Sequence, residues 1–544
     1  MPAVSARPRA PQVGVPLHTR WPGARPVVWA PDAGTVDLVS RVDGELRTSP
    51  LRLLGAQRPG YWGADQRVPY GTPYGFRVDD GPLVADPAGA WFPDGVHELP
   101  RAFDPYFSWT DDGWQAPDLG AGVLLHLDVP HATPEGTLDA AARLLPRVAA
   151  CGVDGVELAP LSAFDPDAGP EAGVRLSAVH EPYGGPRALQ RFVDAAHALG
   201  LAVVLTLPHR WAVVEDLGLG AYGRHAVDGR TPREGSGARG LRDLLTTDAQ
   251  RWFEEFHVDG LQLDVDALEH RTPVTLSELA DTAVAASERL QRPTTLFVDG
   301  PGRSDRLAGV LRRVLGAPGS PRDPDAVVDV RHLAASLTPA ARLPLRAERD
   351  SRRSHAATAR AASLVVGDLT RLPGARAGMP WAADAAPRVH GPQRPVRESA
   401  AAADLDVRSS LLTLAVLVGT AAVLDTDHLP LTAPHRDTSD TGDDGSARLV
   451  EWCTRLTALR EDAMRDLALE VDVRAAGSAL TLRRGRSAVV VATGPDDARV
   501  PLEELLPGAP SAWSLVAGWS PRAAVDGAVL TLPARTTAVL RAEA

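Results

Sequence analysis

Two aspartates close successive apolar runs: Asp264 ends GLQLD and Asp299 ends TLFVD. Carboxylates on neighbouring strands suit glycoside hydrolysis, one as nucleophile and the other as general acid. The competing role is structural, because an acid at a strand end also caps the following helix or pairs with Arg. Comparable runs end in Asp128, in Glu157, in the stretch from Thr206 to Trp211, and in Asp329 with Arg331 and His332. Asp264 and Asp266 would share one face of a strand, which is a metal-pair spacing, but no His or Cys cluster joins them. Neither a metal nor an organic cofactor is expected.

Such residues need a scaffold that brings strand ends together. Between Gly120 and Pro430, apolar runs alternate with helical segments: GVLLHLDV, VDGVELAPL, LAVVLTLPH, VDGLQLDVDA, TTLFVDG and DAVVDVRHLA. Strands apolar on both faces, each followed by a helix, form parallel sheets. About eight such units close into a (β/α)₈ barrel, whose reacting groups come from the C-terminal strand ends. Residues 340–398, rich in Ala, Arg and Pro, resist phasing into these units. Before the barrel, from Pro16 to Pro105, short β-runs with Gly, Pro and Asp punctuation read as a small sandwich. After it, SALTLRR, SAVVVATG, AVLTLPA and TTAVLRAE suggest another. The expected fold is therefore multidomain α/β: an N-terminal β-sandwich (1–105), a barrel (106–430), a linker and helix (431–466), and a C-terminal β-sandwich (467–544).

Composition removes other classes. The 544 residues exceed one ordinary domain, and the net charge of −12 argues against nucleic acid or an anionic membrane as partner. Every basic residue is Arg; Lys, Asn and Ile are absent, the mark of a coding bias. Without Lys there is neither a Schiff-base enzyme nor a phosphate-cradling GKS loop. Cys151 and Cys453 form no metal spacing, and a reducing compartment is the simpler reading. The N-terminus lacks the apolar core of a signal peptide, and the run from Leu411 to Leu424 is too short to span a bilayer. A cytoplasmic location is expected. The acidic run from His435 to Gly445 lacks calcium-loop spacing and reads as a solvated loop.

Several motifs together resemble the α-amylase superfamily of glycoside hydrolases, and within it the malto-oligosyltrehalose trehalohydrolases: TPEGTL (Thr133 to Leu138), GVDGVELAPLSAF (Gly152 to Phe164), EPYGGPRAL (Glu181 to Leu189) and FHVDGLQLD (Phe256 to Asp264). VADPAGAWFPDGVHELP (Val84 to Pro100) looks like the segment after that family's N-terminal domain. The resemblance runs from about Val28 to Val310 and implies a barrel, an α-glucan or maltooligosyl trehalose as ligand, and retaining hydrolysis. It puts Asp264 at the nucleophile position and Asp299 at that of the general acid/base.

The departures matter more. Where the resemblance implies DGLRLD, this chain has Gln262 in place of the Arg that would hold the nucleophile ionised. Asp299 stands for a Glu one methylene longer. The strand LTLPHRW has Thr206, Arg210 and Trp211 where an Asp and a closing Asn-His are implied. Late in the barrel, His390 is followed by Gly391 in place of an Asp, with Asp384 the nearby acid. The sugar-stacking Tyr ahead of EPYGGP is missing. Trp211 is placed to fill the former pocket, whereas Trp62 and Trp91 read as packing residues before sugar platforms. The expectation is a weak or inactive pseudo-glycosidase that binds α-glucan or a trehalose-pathway protein. The alternatives are an active hydrolase using Asp264 and Asp299, or an interaction scaffold with no sugar site.

Overall fold

The computed structural model describes residues 23–56, 58–117, 119, 122–209, 219–223, 236–264, 276–299, 343–346, 422–425, 444–464, 471–476, 479–484, 486–492, 496–505, 513–534 and 536–542, with a few single positions between 405 and 417. At its centre lies one sheet. Its strands are β1 (Val123–Leu127), β2 (Gly155–Leu158), β3 (Ala202–Thr206), β4 (Gly260–Asp264), β5 (Thr295–Asp299), β6 (Leu343–Arg346) and β7 (Ala422–Asp425), in the order β6-β5-β4-β3-β2-β1-β7. All neighbours are parallel except β5 and β6, which are antiparallel. β6 lies within 340–398, the stretch that resists phasing, so a simple strand–helix alternation fails there. The late strand β7 pairs with the first, β1, as a sheet curling on itself requires.

Each face of this sheet has its own core. Leu125, Leu127, Val156, Leu158, Val203, Leu205, Leu261 and Leu263 point to one side and join the largest apolar cluster. That cluster includes the buried stripe Ala188, Leu189, Phe192, Val193 and Ala196 of α1 (Gly185–Ala198), the i, i+3, i+4 pattern of a helix lying on a sheet. α2 (Ser236–Glu254) and α3 (Leu276–Leu290) follow β3 and β4 and pack on each other. On the other face Leu124, Ala202, Val204 and Phe297 meet Leu119 in a small separate cluster at the N-terminal ends of the strands. The turn into α1 needs both of its glycines. Gly184 and Gly185 have φ of +108° and +65°, and a Cβ on Gly184 would come within 2.7 Å of Ala188.

Antiparallel sheets flank this centre. At the N-terminal side Val27–Trp29, Tyr61–Gly63 and Arg52–Leu53 form one sheet, and Val36–Val42, Glu45–Pro50, Tyr74–Val78 and Leu83–Ala85 another; Val28, Val36, Leu38 and Phe76 lie in their shared core. Asp43 and Gly44 turn one hairpin, both with positive φ (52° and 81°). Beyond α4 (Asp444–Met464), five- and three-stranded sheets share a core around Val490, Leu530, Leu532 and Leu540. The four C-terminal runs singled out in the sequence are all strands. Cys151 and Cys453 are buried and unbridged.

Candidate functional site

The face that carries Leu124 and Val204 becomes polar one layer toward the C-terminal ends. Side chains alternate along a strand, so His126 follows Leu124 on that face, Thr206 follows Val204, and Gln262 follows Gly260. β1 and β2 pair His126 with Glu157, and β3 and β4 pair Thr206 with Gln262. The layer is continuous. His126 Nδ1 lies 3.1 Å from Glu157 Oε1, and the Thr206 hydroxyl lies 3.3 Å from the same oxygen and 2.9 Å from Gln262 Oε1, to which it donates. The Glu157 side chain is 1% exposed and that of His126 31%, so the layer is sealed at Glu157 and opens at His126.

One step further along, Asp264 and Asp299 are the last residues of β4 and β5 and are direct register partners. Adjacent strands run about 4.8 Å apart, so the two backbone positions stand side by side at the C-terminal edge. Asp128 follows β1 as the N-cap of a short helix (Val129–Ala132). Its side chain makes no capping bond and instead meets His131 Nδ1 at 2.6 Å. Beside this edge His180 stacks on Phe164 (4.0 Å, 13°) and meets Tyr183 edge-on at 4.7 Å. Burial lowers the His180 pKa to about 4, and burial followed by the Asp128 charge pushes Tyr183 up to about 12.

The sequence thus placed Thr206, Gln262, Asp264 and Asp299 at one end of the sheet, and the backbone brings them there. Arg210, Trp211, Asp266, Asp329, Arg331, His332, Asp384, His390 and Gly391 lie outside the described residues, as does most of the acidic run that begins at His435. Among the described residues no group of three or more His, Cys, Asp or Glu could hold a metal ion. Trp62 and Trp91 both make internal hydrogen bonds, to the Ala30 carbonyl and to Glu181 respectively. The residue that sequence reasoning missed is His126. Its signal was available: a lone polar side chain in an apolar strand, two residues before Asp128.

No family profile matches the chain. Over 327 residues it is 39% identical to the malto-oligosyltrehalose trehalohydrolase of Arthrobacter ramosus, covering 56% of this chain and 54% of that one. The corresponding protein of Rhizobium sp. (strain M-11) is 37% identical over 294 residues, with 52% and 49% covered. Over these stretches the chain is similar to malto-oligosyltrehalose trehalohydrolases. The chain spans about half the length of these trehalohydrolases. A 1,4-alpha-glucan branching enzyme of Burkholderia pseudomallei is 31% identical over 294 residues, covering 45% of this chain and 38% of its own length. Among solved structures, a putative alpha amylase from Salmonella typhimurium superposes with a TM-score of 0.60 at 20% identity, covering 95% of this chain and 97% of that one. A pullulanase from Paenibacillus barengoltzii, solved with maltotetraose, gives 0.58 at 14% identity, with 97% and 95% covered. These likenesses show the fold: a multidomain α-amylase-type architecture around a parallel sheet. Among the described residues no helix is long and apolar enough to cross a membrane.

Proposed function

We propose that this trehalohydrolase-like chain binds α-glucan or maltooligosyl trehalose but hydrolyses it weakly or not at all. The observation that carries the reading is the 2.9 Å hydrogen bond between Thr206 and Gln262. Trehalohydrolase resemblance implies Asp and Arg at these two positions, and here they touch as a neutral pair. The exchange is therefore concerted: in place of an anion and a cation stand a hydroxyl and the amide oxygen to which it donates. No cation is left two residues before Asp264 to favour its ionised form.

Magnitudes support weak turnover. Removing one preorganised electrostatic group costs roughly 2.7–4 kcal/mol of barrier. A general acid contributes roughly 10²–10⁴-fold, and Asp299 in place of Glu draws it back by about one methylene, a misplacement of the size that costs about 10². These losses do not add, because the groups act as a unit. The flanking domains we read as β-sandwiches and the centre as a closed (β/α)₈ barrel. A trehalose-pathway protein is the partner that a binding role would serve.

One observation favours a second reading, an active hydrolase: Asp264 and Asp299 are register partners. Retaining glycosidases hold their carboxyl groups about 5–5.5 Å apart, which adjacent strands permit. Calorimetric titration with maltooligosaccharides tests the binding half of the proposal. Saturable heat without reducing-sugar release is expected. No heat would contradict it and leave the barrel as an interaction scaffold without a sugar site.

A further inference from the structure

Opposite the candidate site, the segment that leads from the N-terminal sheets into β1 is clamped under the floor of the central sheet by a buried polar knot. Asp111 Oδ2 meets His197 Nδ1 at 2.9 Å, His257 Nδ1 at 2.8 Å and Arg292 at 3.2 Å. Asp259 Oδ2 meets the other His197 nitrogen at 2.9 Å and accepts from the Val203 amide, while its Oδ1 accepts from the Trp114 indole at 2.8 Å. Two stacked pairs close the knot: Trp114 on His197 (4.5 Å, 15°) and Trp109 on His257 (3.8 Å, 10°). The side chains of His197, Asp111 and Asp259 are 1%, 4% and 0% exposed. His257 sits in the left-handed backbone region (φ +54°), a conformation held by its bond to Asp111 and its stack on Trp109.

We propose that residues 105–117 form a proton-operated latch on the floor of the sheet, shut by a charged His197 that bridges Asp111 and Asp259. A neutral imidazole has one donor and one acceptor, so it cannot donate to both carboxylates. With His197 charged, two carboxylates face two cations, His197 and Arg292. With it neutral, a buried excess of negative charge remains. Among the described residues, the ionisable groups facing His197 are Asp111 from the segment, His257 and Asp259 ahead of β4, and Arg292 ahead of β5. Burial alone would lower the His197 pKa, but the bonds to Asp111 and Asp259 outweigh it and hold it above the ordinary imidazole value. Burial lowers the His257 pKa below the ordinary imidazole value. For Asp111, the bonds from His197 and His257 overcome burial and hold the carboxyl well below its usual range. The signs follow. A raised His pKa contributes stability that is complete below about pH 6.5 and is lost as pH rises through the folded value; a lowered Asp pKa keeps the latch shut well into acid.

Opening would free Trp114 and Ala116 from the floor cluster of Leu124, Val204 and Phe297, and would loosen the one covalent path between the N-terminal sheets and β1. The test is hydrogen exchange of the 105–117 amides in the full chain at pH 6 and pH 9.5, corrected for intrinsic rates. Protection is expected to fall severalfold in the wild type between the two pH values, as His197 loses the proton that bridges the carboxylates. The His197→Gln variant should show low protection at both values, and His257→Gln should keep the pH response. If His197→Gln does not fold, the wild-type and His257→Gln profiles decide by themselves. Equal wild-type protection at both pH values would overturn the latch. So would a response abolished by His257→Gln.

Discussion

At the residue scale, Thr206 is the pivot of the polar layer, because its hydroxyl touches both the Glu157 carboxylate and the Gln262 amide. Placing a second carboxylate there, by Thr206→Asp, would set it against Glu157 in a layer sealed from solvent at that residue. About 3–5 kcal/mol of stability should be lost, the usual penalty for an uncompensated buried charge. Adding Gln262→Arg should recover most of it and give a coupling energy of about 1–3 kcal/mol in a double-mutant cycle. Urea midpoints of the four proteins read this directly. An additive pair of effects would mean that the two positions do not communicate. Thr206 and Gln262 were both legible in the sequence as strand-end substitutions. Their contact was not, because it joins residues 56 positions apart and depends on the register of β3 against β4. His126 was visible as a polar residue in an apolar strand, but its partner was not, because nothing near it in sequence reveals that β2 delivers Glu157 beside it.

At the element scale, α2 carries the contact that seats the N-terminal sheets. A Cβ on Gly240 would lie 2.3 Å from the Trp29 ring, and the Tyr61 hydroxyl donates to Asp243 one turn further on (2.8 Å). Gly to Ala inside a helix ordinarily gains up to about 1 kcal/mol. Here overpacking against Trp29 should cost about 1–3 kcal/mol and reverse the sign. Gly240→Ala is expected to lower the first thermal transition by roughly 2–6 °C, and Trp29→Leu in the same chain should return Gly240→Ala to neutral or stabilising. A stabilising effect in the wild-type background would refute the close approach. The periodic helices and apolar strands were readable because one face of each is buried, and period 3.6 or 2 follows from that. The 105–117 segment read only as a Pro-, Asp- and Trp-rich loop. Its clamping role was hidden because Asp111, His197, His257 and Asp259 have no local spacing in common.

At the scale of the whole molecule, the two ends of the central sheet have separate duties. The N-terminal ends rest on an apolar floor and the latch, and the C-terminal ends carry His126, Glu157, Thr206 and Gln262 below Asp264 and Asp299. The order of β-runs, then strand–helix units, then β-runs could be read from pattern alone, since each architecture buries its apolar residues with a different period. The antiparallel β6 could not, because the composition of its surroundings gives no period to follow. What the site does turns on whether its aspartates still act together above a neutral Thr206–Gln262 pair. Trehalose release from maltooligosyl trehalose, measured for the wild type beside Asp264→Ala, decides this most directly. Equal, near-background release from both folded proteins is the expected result. Release by the wild type that falls about 10³-fold or more in the variant would show a working nucleophile and contradict the account.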